Sequence, residues 1–199
     1  MVTSFTSDQV VKYYDECALF IDDDAKAMGW SSTFNQQLRF DVFNYMVVMD
    51  GKHILDVGCG DGALFHYFQA QSIDCEYTGI DISHKMVQRA HQRYPGINVR
   101  QKDFFQEQRL FDLVVCSGAL SMLSDLDPLN YLKKAITHLF SLAKEQLLFN
   151  LLTIHHGSKS SLFHQFDPAD VLNVCLTLTP FVTLNHSYLP NDFTVQLIR

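Results

Sequence analysis

Three carboxylates and three glycines, at fixed spacing, are the residues of this chain best placed to do chemistry. Asp56 lies in the apolar run Ile54-Leu55-Asp56-Val57, which leads directly into Gly58-Cys59-Gly60-Asp61-Gly62. An apolar strand followed by Gly-x-Gly-x-Gly and then an apolar helix makes a tight turn, and the missing side chains let a ligand lie against backbone at a helix N-terminus. Nineteen positions after Gly62, Asp81 ends a second run, Tyr77-Thr78-Gly79-Ile80-Asp81. A carboxylate at that strand end can accept both hydroxyl protons of a ribose. A third run is followed by Asp103-Phe104, an acid beside an aromatic ring. Three strand-end acids in register with such a turn point to a nucleotide-like ligand. The nicotinamide fingerprint Gly-x-Gly-x-x-Gly wants glycine at 63, where this chain has Ala63; alanine is tolerated there, so that dinucleotide remains a second reading.

The elements that must position these residues alternate. Strands are predicted near 53–57, 76–81, 98–101, 112–116 and 146–152, and helices near 63–70, 84–93 and 128–143. Short apolar runs alternating with amphipathic segments are the pattern of βαβ units around a mostly parallel sheet. Asp127-Pro128 and Asp167-Pro168 each supply a capping carboxylate followed by proline at the first helical position. The chain closes with Phe181–Ser187, the turn-like Leu189-Pro190-Asn191-Asp192 and Phe193–Ile198, a hairpin that adds an antiparallel strand. The first fifty residues read as helices, one face carrying Val10, Val11, Tyr14, Cys17, Ala18 and Ile21, another Phe34, Leu38, Val42, Tyr45, Met46 and Met49. The expected fold is therefore α/β: a single doubly wound, seven-stranded, mostly parallel sheet with an antiparallel C-terminal hairpin strand. Residues 1–50 form a helical lid and 51–199 the core of one domain.

Bulk properties narrow the partners. The 199 residues, 47% of them apolar, suffice for one substantial core. A formal charge of −7 with no run of Lys or Arg argues against a nucleic-acid partner, which needs cations facing phosphate. Five cysteines, at 17, 59, 75, 116 and 175, include no Cys-x-x-Cys pair and read as reduced. No signal-peptide pattern opens the chain and no stretch nears the roughly 20 apolar residues of a membrane helix. A cytoplasmic protein without membrane partners is expected.

Residues 54–116 resemble the core of the class I S-adenosylmethionine-dependent methyltransferases. Asp56-Val57-Gly58-Cys59-Gly60-Asp61-Gly62 is similar to their glycine-rich motif I, Gly79-Ile80-Asp81-Ile82-Ser83 to motif II, Arg100-Gln101-Lys102-Asp103-Phe104 to the adenine-reading segment and Phe111-Asp112-Leu113-Val114-Val115-Cys116 to motif IV. Gly29-Trp30, Leu38-Arg39-Phe40 and Asp192-Phe193-Thr194-Val195 look like a bacterial subgroup of that superfamily. The resemblance implies S-adenosylmethionine as cofactor and S-adenosylhomocysteine as product. It places Gly58 and Gly60 against the methionine part, Asp56 near its ammonium, Asp81 on the ribose, Ile82 and Phe104 about adenine, and Asp103 on the adenine amino group. Cys116, Ser117 and Gly118 would floor the site, with Cys59 and Met86 among the cofactor-facing positions. Arg39 is expected to meet the methionine carboxylate, or else to be a surface cation; Trp30 belongs to the lid or to plain packing.

Methyl transfer gains most from alignment and exclusion of water, so no dedicated catalytic side chain is strictly required. Where a base is needed, His155, His156, Tyr188 and Asp192 are the candidates, the histidines because they follow the fifth strand near the carboxyl edge. Tyr13 and Tyr14 read as packing in preference to substrate contacts. Motif IV lacks the Asn/Asp-Pro-Pro-Tyr sequence used for planar amino groups, and no set of acids and histidines suggests a metal. The expected activity is methyl transfer to an oxygen or nitrogen of a small molecule. A nicotinamide-dependent oxidoreductase and an inactive binding module on the same fold are the alternatives.

Overall fold

The computed structural model describes residues 7–18, 33–121, 127–157 and 163–199. Its seven strands are β1 (His53–Val57), β2 (Glu76–Asp81), β3 (Val99–Gln101), β4 (Phe111–Cys116), β5 (Ala143–Leu152), β6 (Val182–Leu189) and β7 (Asp192–Ile198). They form one sheet in the order β3-β2-β1-β4-β5-β7-β6. β1 to β5 run parallel, and β7 inserts antiparallel between β5 and β6. The predicted mostly parallel sheet with its antiparallel C-terminal strand is the observed one. Strand order reverses at β1, whose neighbours are β2 and β4, and the crevice outside the carboxyl ends at that reversal is where open α/β sheets take ligands.

β1, β4 and the second half of β5 are apolar almost throughout because both faces are covered, whereas the edge strand β6 is half-exposed. Leu55, Val57, Val114, Leu147 and Phe149 face one core, shared with α5 (Pro128–Leu142) and α6 (Pro168–Leu176). Their neighbours Ile54, Leu113, Val115 and Leu148 face the other, shared with α2 (Thr33–Met46), α3 (Ala63–Ala70) and α4 (His84–Arg93). The two Asp-Pro caps form as expected: Asp127 accepts from the Asn130 N–H at 3.0 Å and Asp167 from the Ala169 N–H at 2.8 Å.

Two readings are corrected. α5 passes into β5 at Ala143 with no glycine or proline between them, so the strand starts three residues before Gln146. α2 is also rolled relative to its expected apolar face: Gln36, Arg39, Phe40, Val42 and Phe43 are buried, while Phe34 is 66% and Tyr45 87% exposed. The remaining N-terminal helix, α1 (Ser7–Cys17), packs on α4, and Ser83 Oγ donates to Asp15 Oδ1 at 2.5 Å.

Candidate active site

The turn after β1 is built by the β2 backbone. The N–H groups of Gly58 and Cys59 both donate to the carbonyl of Ile80, at 2.8 and 3.1 Å. Gly58 has φ +71° and lies so close to the next loop that a Cβ would come within 2.4 Å of Ala119 Cβ. Gly79 serves the same turn from beneath, since a Cβ there would meet Cys59 Sγ at 2.9 Å. The sequence therefore needs glycine at both positions, for a bare turn and for the strand that supports it.

Asp81 ends β2 with its carboxylate fixed at both oxygens. Gly60 N–H donates to Oδ2 at 2.9 Å and Ser83 N–H to Oδ1 at 2.8 Å. Each oxygen keeps a lone pair for a further donor. Burial pushes Asp81 up to about 6 despite these two bonds. Asp56 is buried beside it and is pushed up to about 7, burial outweighing the bond that the Tyr77 hydroxyl donates to Oδ2 at 2.7 Å.

Over these groups lies a cavity of about 170 Å³. The β1 turn contributes Gly58 and Gly60; the end of β2 and the start of α4 contribute Asp81, Ile82 and Met86; the loop after β3 contributes Lys102 to Phe105; the loop after β4 contributes Ser117, Gly118 and Ala119. α1 covers it with Val10 and Tyr14. Asp103 caps a short turn by accepting from the Phe105 N–H at 3.0 Å. A smaller chamber adjoins, lined by Asp56, Gly58, Cys59, Ser117, the first residues of α3, and Gln36 and Phe40 of α2.

The structure thus gathers Asp56, Gly58, Cys59, Gly60, Asp81, Ile82, Met86, Asp103, Phe104, Ser117 and Gly118 about the two chambers. Cys116 is fully buried at the end of β4 and lines neither. Trp30 lies outside the described residues. Arg39 is redirected: Nε and a terminal nitrogen donate to Asp192 Oδ2 at 2.9 and 2.7 Å, and the pair is almost wholly buried. Tyr188 donates to the other oxygen of Asp192 and lies 2.8 Å from Thr194 Oγ1. Arg39, Tyr188 and Asp192 therefore hold one another and line neither chamber. Burial pushes both Asp192 and the Tyr188 hydroxyl upward, the reverse of what a base at neutral pH requires of a phenol. His155 and His156 are exposed on the turn after β5, also outside both chambers.

Several residues escaped the sequence reading. Tyr14 and Val10 roof the cavity, where packing was the expectation for the tyrosine. Asn150 of β5 accepts from Gly118 N–H at 2.9 Å and donates to Ser117 Oγ at 3.2 Å, fixing the floor. Its signal was present: one amide in the apolar run Leu147-Leu148-Phe149-Asn150-Leu151-Leu152. Glu107, buried, gathers Arg100, Lys102 and Arg109 at 2.9 to 3.2 Å and so anchors the loop that carries Asp103 and Phe104.

Comparison with known proteins agrees with this geometry. Residues 54–141 match the family described as Methyltransferase domain. Rv1506c of Mycobacterium tuberculosis (strain ATCC 25618 / H37Rv), which is named a methyltransferase, is 31% identical over 156 residues, covering 73% of this chain and 92% of its own. The ubiquinone biosynthesis O-methyltransferase of Coxiella burnetii (strain Dugway 5J108-111) is 27% identical over 95 residues, 44% of this chain and 40% of that enzyme. In fold, the magnesium protoporphyrin IX methyltransferase of Synechocystis PCC 6803 with bound S-adenosylhomocysteine superposes with TM-score 0.72 over 98% of this chain and 100% of its own, at 18% identity. The chain belongs to the class I S-adenosylmethionine-dependent methyltransferases.

Proposed function

We propose that this protein transfers a methyl group from S-adenosylmethionine to an oxygen or nitrogen of a small-molecule acceptor. The observation that carries the reading is Asp81: a buried carboxylate at the carboxyl edge, aimed by two backbone N–H groups, with a lone pair left on each oxygen beside a turn stripped of side chains. These residues fit the cofactor. Asp81 would hold the ribose hydroxyls, Ile82 and Phe104 would flank adenine with Asp103 on its amino group, and Asp56 would face the ammonium. Bound there, S-adenosylmethionine supplies an electrophilic methyl on a positively charged sulfur.

The remaining work of the chain is positioning and exclusion of water. Val10 and Tyr14 close the cavity from above, and Phe104, Phe105 and Tyr131 give it an aromatic wall. Ser117 lines both chambers, and its hydroxyl oxygen accepts from Asn150, so its own proton is free to point at a lone pair on the acceptor. His155, His156, Tyr188 and Asp192 line neither chamber, so the reading assigns them no proton transfer. Catalysis by alignment in a dry site suits an acceptor that brings its own lone pair. The chain's charge of −7 favours a small acceptor over nucleic acid.

The test is incubation of cell extract with the protein and isotopically labelled S-adenosylmethionine, with detection of labelled product by mass spectrometry. A parallel titration with S-adenosylhomocysteine and NAD decides between cofactors. Tight NAD binding without response to the sulfur compound overturns the proposal.

A further inference from the structure

Asp61 belongs to the glycine turn, yet it lines neither of the two chambers. The residue is almost wholly buried, and only one of its carboxylate oxygens is used: Arg89 Nε donates to Oδ2 at 3.1 Å, and Arg93 donates to the same oxygen. The other oxygen, Oδ1, is buried and has no hydrogen-bond partner among the described residues. An acceptor left in that state is costly unless a donor completes it. Two guanidinium groups already meet the charge, so what Oδ1 lacks is a hydrogen and not a counter-ion.

A donor has room to approach. Asp61 lines a further cavity of about 230 Å³, bounded also by α2, α3 and the end of α4. α3 turns one face to it, with Ala63, His66, Tyr67 and Ala70 at helical spacing, and the two alanines leave the space. Two ring pairs line it as well: Phe40 of α2 with Tyr67, centroids 5.6 Å apart, and His66 stacked on Tyr94 at 5.7 Å and 19°. One water would satisfy Oδ1 but needs only about 10–15 Å³ of such space. Rings so arranged suit a flat, largely apolar guest. Gln36, Phe40 and Ala63 line both this cavity and the smaller chamber, but Gly58, Asp81, Ser117 and Gly118 do not line it, so a guest here does not meet the floor on which the methyl would be transferred.

We propose that the cavity between α2, α3 and α4 is a second small-molecule site, taking a planar aromatic or heteroaromatic compound whose neutral N–H or O–H donates to Asp61 Oδ1. The guest is neither cofactor nor methyl acceptor. It is nonetheless tied to the cofactor turn, because Asp61 follows Gly60, whose N–H aims Asp81.

The experiment pairs indole with benzofuran, a ring system of the same shape that carries an oxygen in place of the N–H. Each is titrated into the isotopically labelled full chain and followed through the backbone amide resonances. Indole is expected to move the amides of Asp61, His66, Ala70 and Tyr94 in one saturable process, and benzofuran to bind there about tenfold more weakly, the scale of one hydrogen bond to a charged group. Ala70→Leu fills the cavity with another good helix former and leaves Asp61 untouched, so it should remove the indole shifts while the rest of the spectrum stays that of the folded protein. Equal affinity of the wild type for the two compounds overturns the proposal. So do indole shifts confined to the cofactor cavity, the absence of any saturable shift, as from a site that holds water alone, and the same shifts persisting in folded Ala70→Leu.

Discussion

At the scale of single residues, the site is a pair of carboxylates held under tension between burial and use. Asp81 has its geometry fixed before any ligand arrives, since both oxygens are already bonded to backbone. Its truncation to alanine leaves those two N–H groups unpaired as well as removing the ribose contact, so Asp81→Ala should weaken S-adenosylhomocysteine binding by at least ~1.5 kcal/mol. Calorimetry measures this, and an unchanged dissociation constant would remove Asp81 from the site. Asp56 makes a pH-dependent prediction. Burial pushes it up to about 7 and Asp81 to about 6, whereas an unfolded chain releases those protons near pH 3.9. The folded state therefore binds more protons than the unfolded one across that window, and stability contributed by the pair falls as pH rises from about 4 to 7. A ligand ammonium reverses the preference by favouring ionised Asp56. Affinity for S-adenosylhomocysteine should then rise between pH 6 and 8, with a proton released on binding near pH 6.5 that Asp56→Asn abolishes. Titrations in two buffers of different ionisation enthalpy measure that proton; its absence in wild type would disconnect Asp56 from the ammonium.

At the scale of elements, the question is what holds α2 over the carboxyl edge. Its buried face alternates apolar anchors, Phe40 and Phe43, with two polar residues of different use: Arg39 is spent on the β6–β7 hairpin through Asp192, and Gln36 is left facing the chamber. Loss of Arg39 strands a buried carboxylate, and Arg39→Met should destabilise the protein by about 3 kcal/mol in urea denaturation, with Arg39→Met/Asp192→Leu recovering most of it. Additive losses in the double variant would show that the two residues are not coupled. The same helix marks the limit of what the sequence discloses. The strands were legible because a strand buried on both faces reads as an apolar run, and motif I was legible because turn, glycines and acid are adjacent in the chain. α2 was not, because its buried face carries Gln36 and Arg39 where periodicity rewards Phe34 and Tyr45, both of which face solvent. Nor does any local signal join Arg39 to Asp192, 153 positions apart. Tyr14 was misjudged for a related reason: one aromatic on an amphipathic helix looks the same whether it meets a core or a ligand.

At the scale of the whole molecule, the cavity is the seam where segments distant in the chain meet. α1 reaches it from above, the β1 turn and β2 end from one side, and the loops after β3 and β4 from the others, so the lining comes from segments spread between Val10 and Tyr131. A ligand that touches all of them links α1 and the sheet in a single binding event, and this should appear as global stabilisation. At a concentration one hundred times its dissociation constant, S-adenosylhomocysteine should add about 2.7 kcal/mol to the folded state. For a chain of this length that corresponds to a rise in Tm of roughly 5 to 10 °C. Hydrogen exchange should slow in α1 and in the loop after β3 together, because both are walls of the same cavity, while α6, none of whose residues lines it, changes least. Thermal scans and exchange with and without the ligand measure both effects. A rise in Tm with NAD and none with S-adenosylhomocysteine, or protection confined to the β1 turn, would mean that the cavity under α1 is not where the adenosine lies.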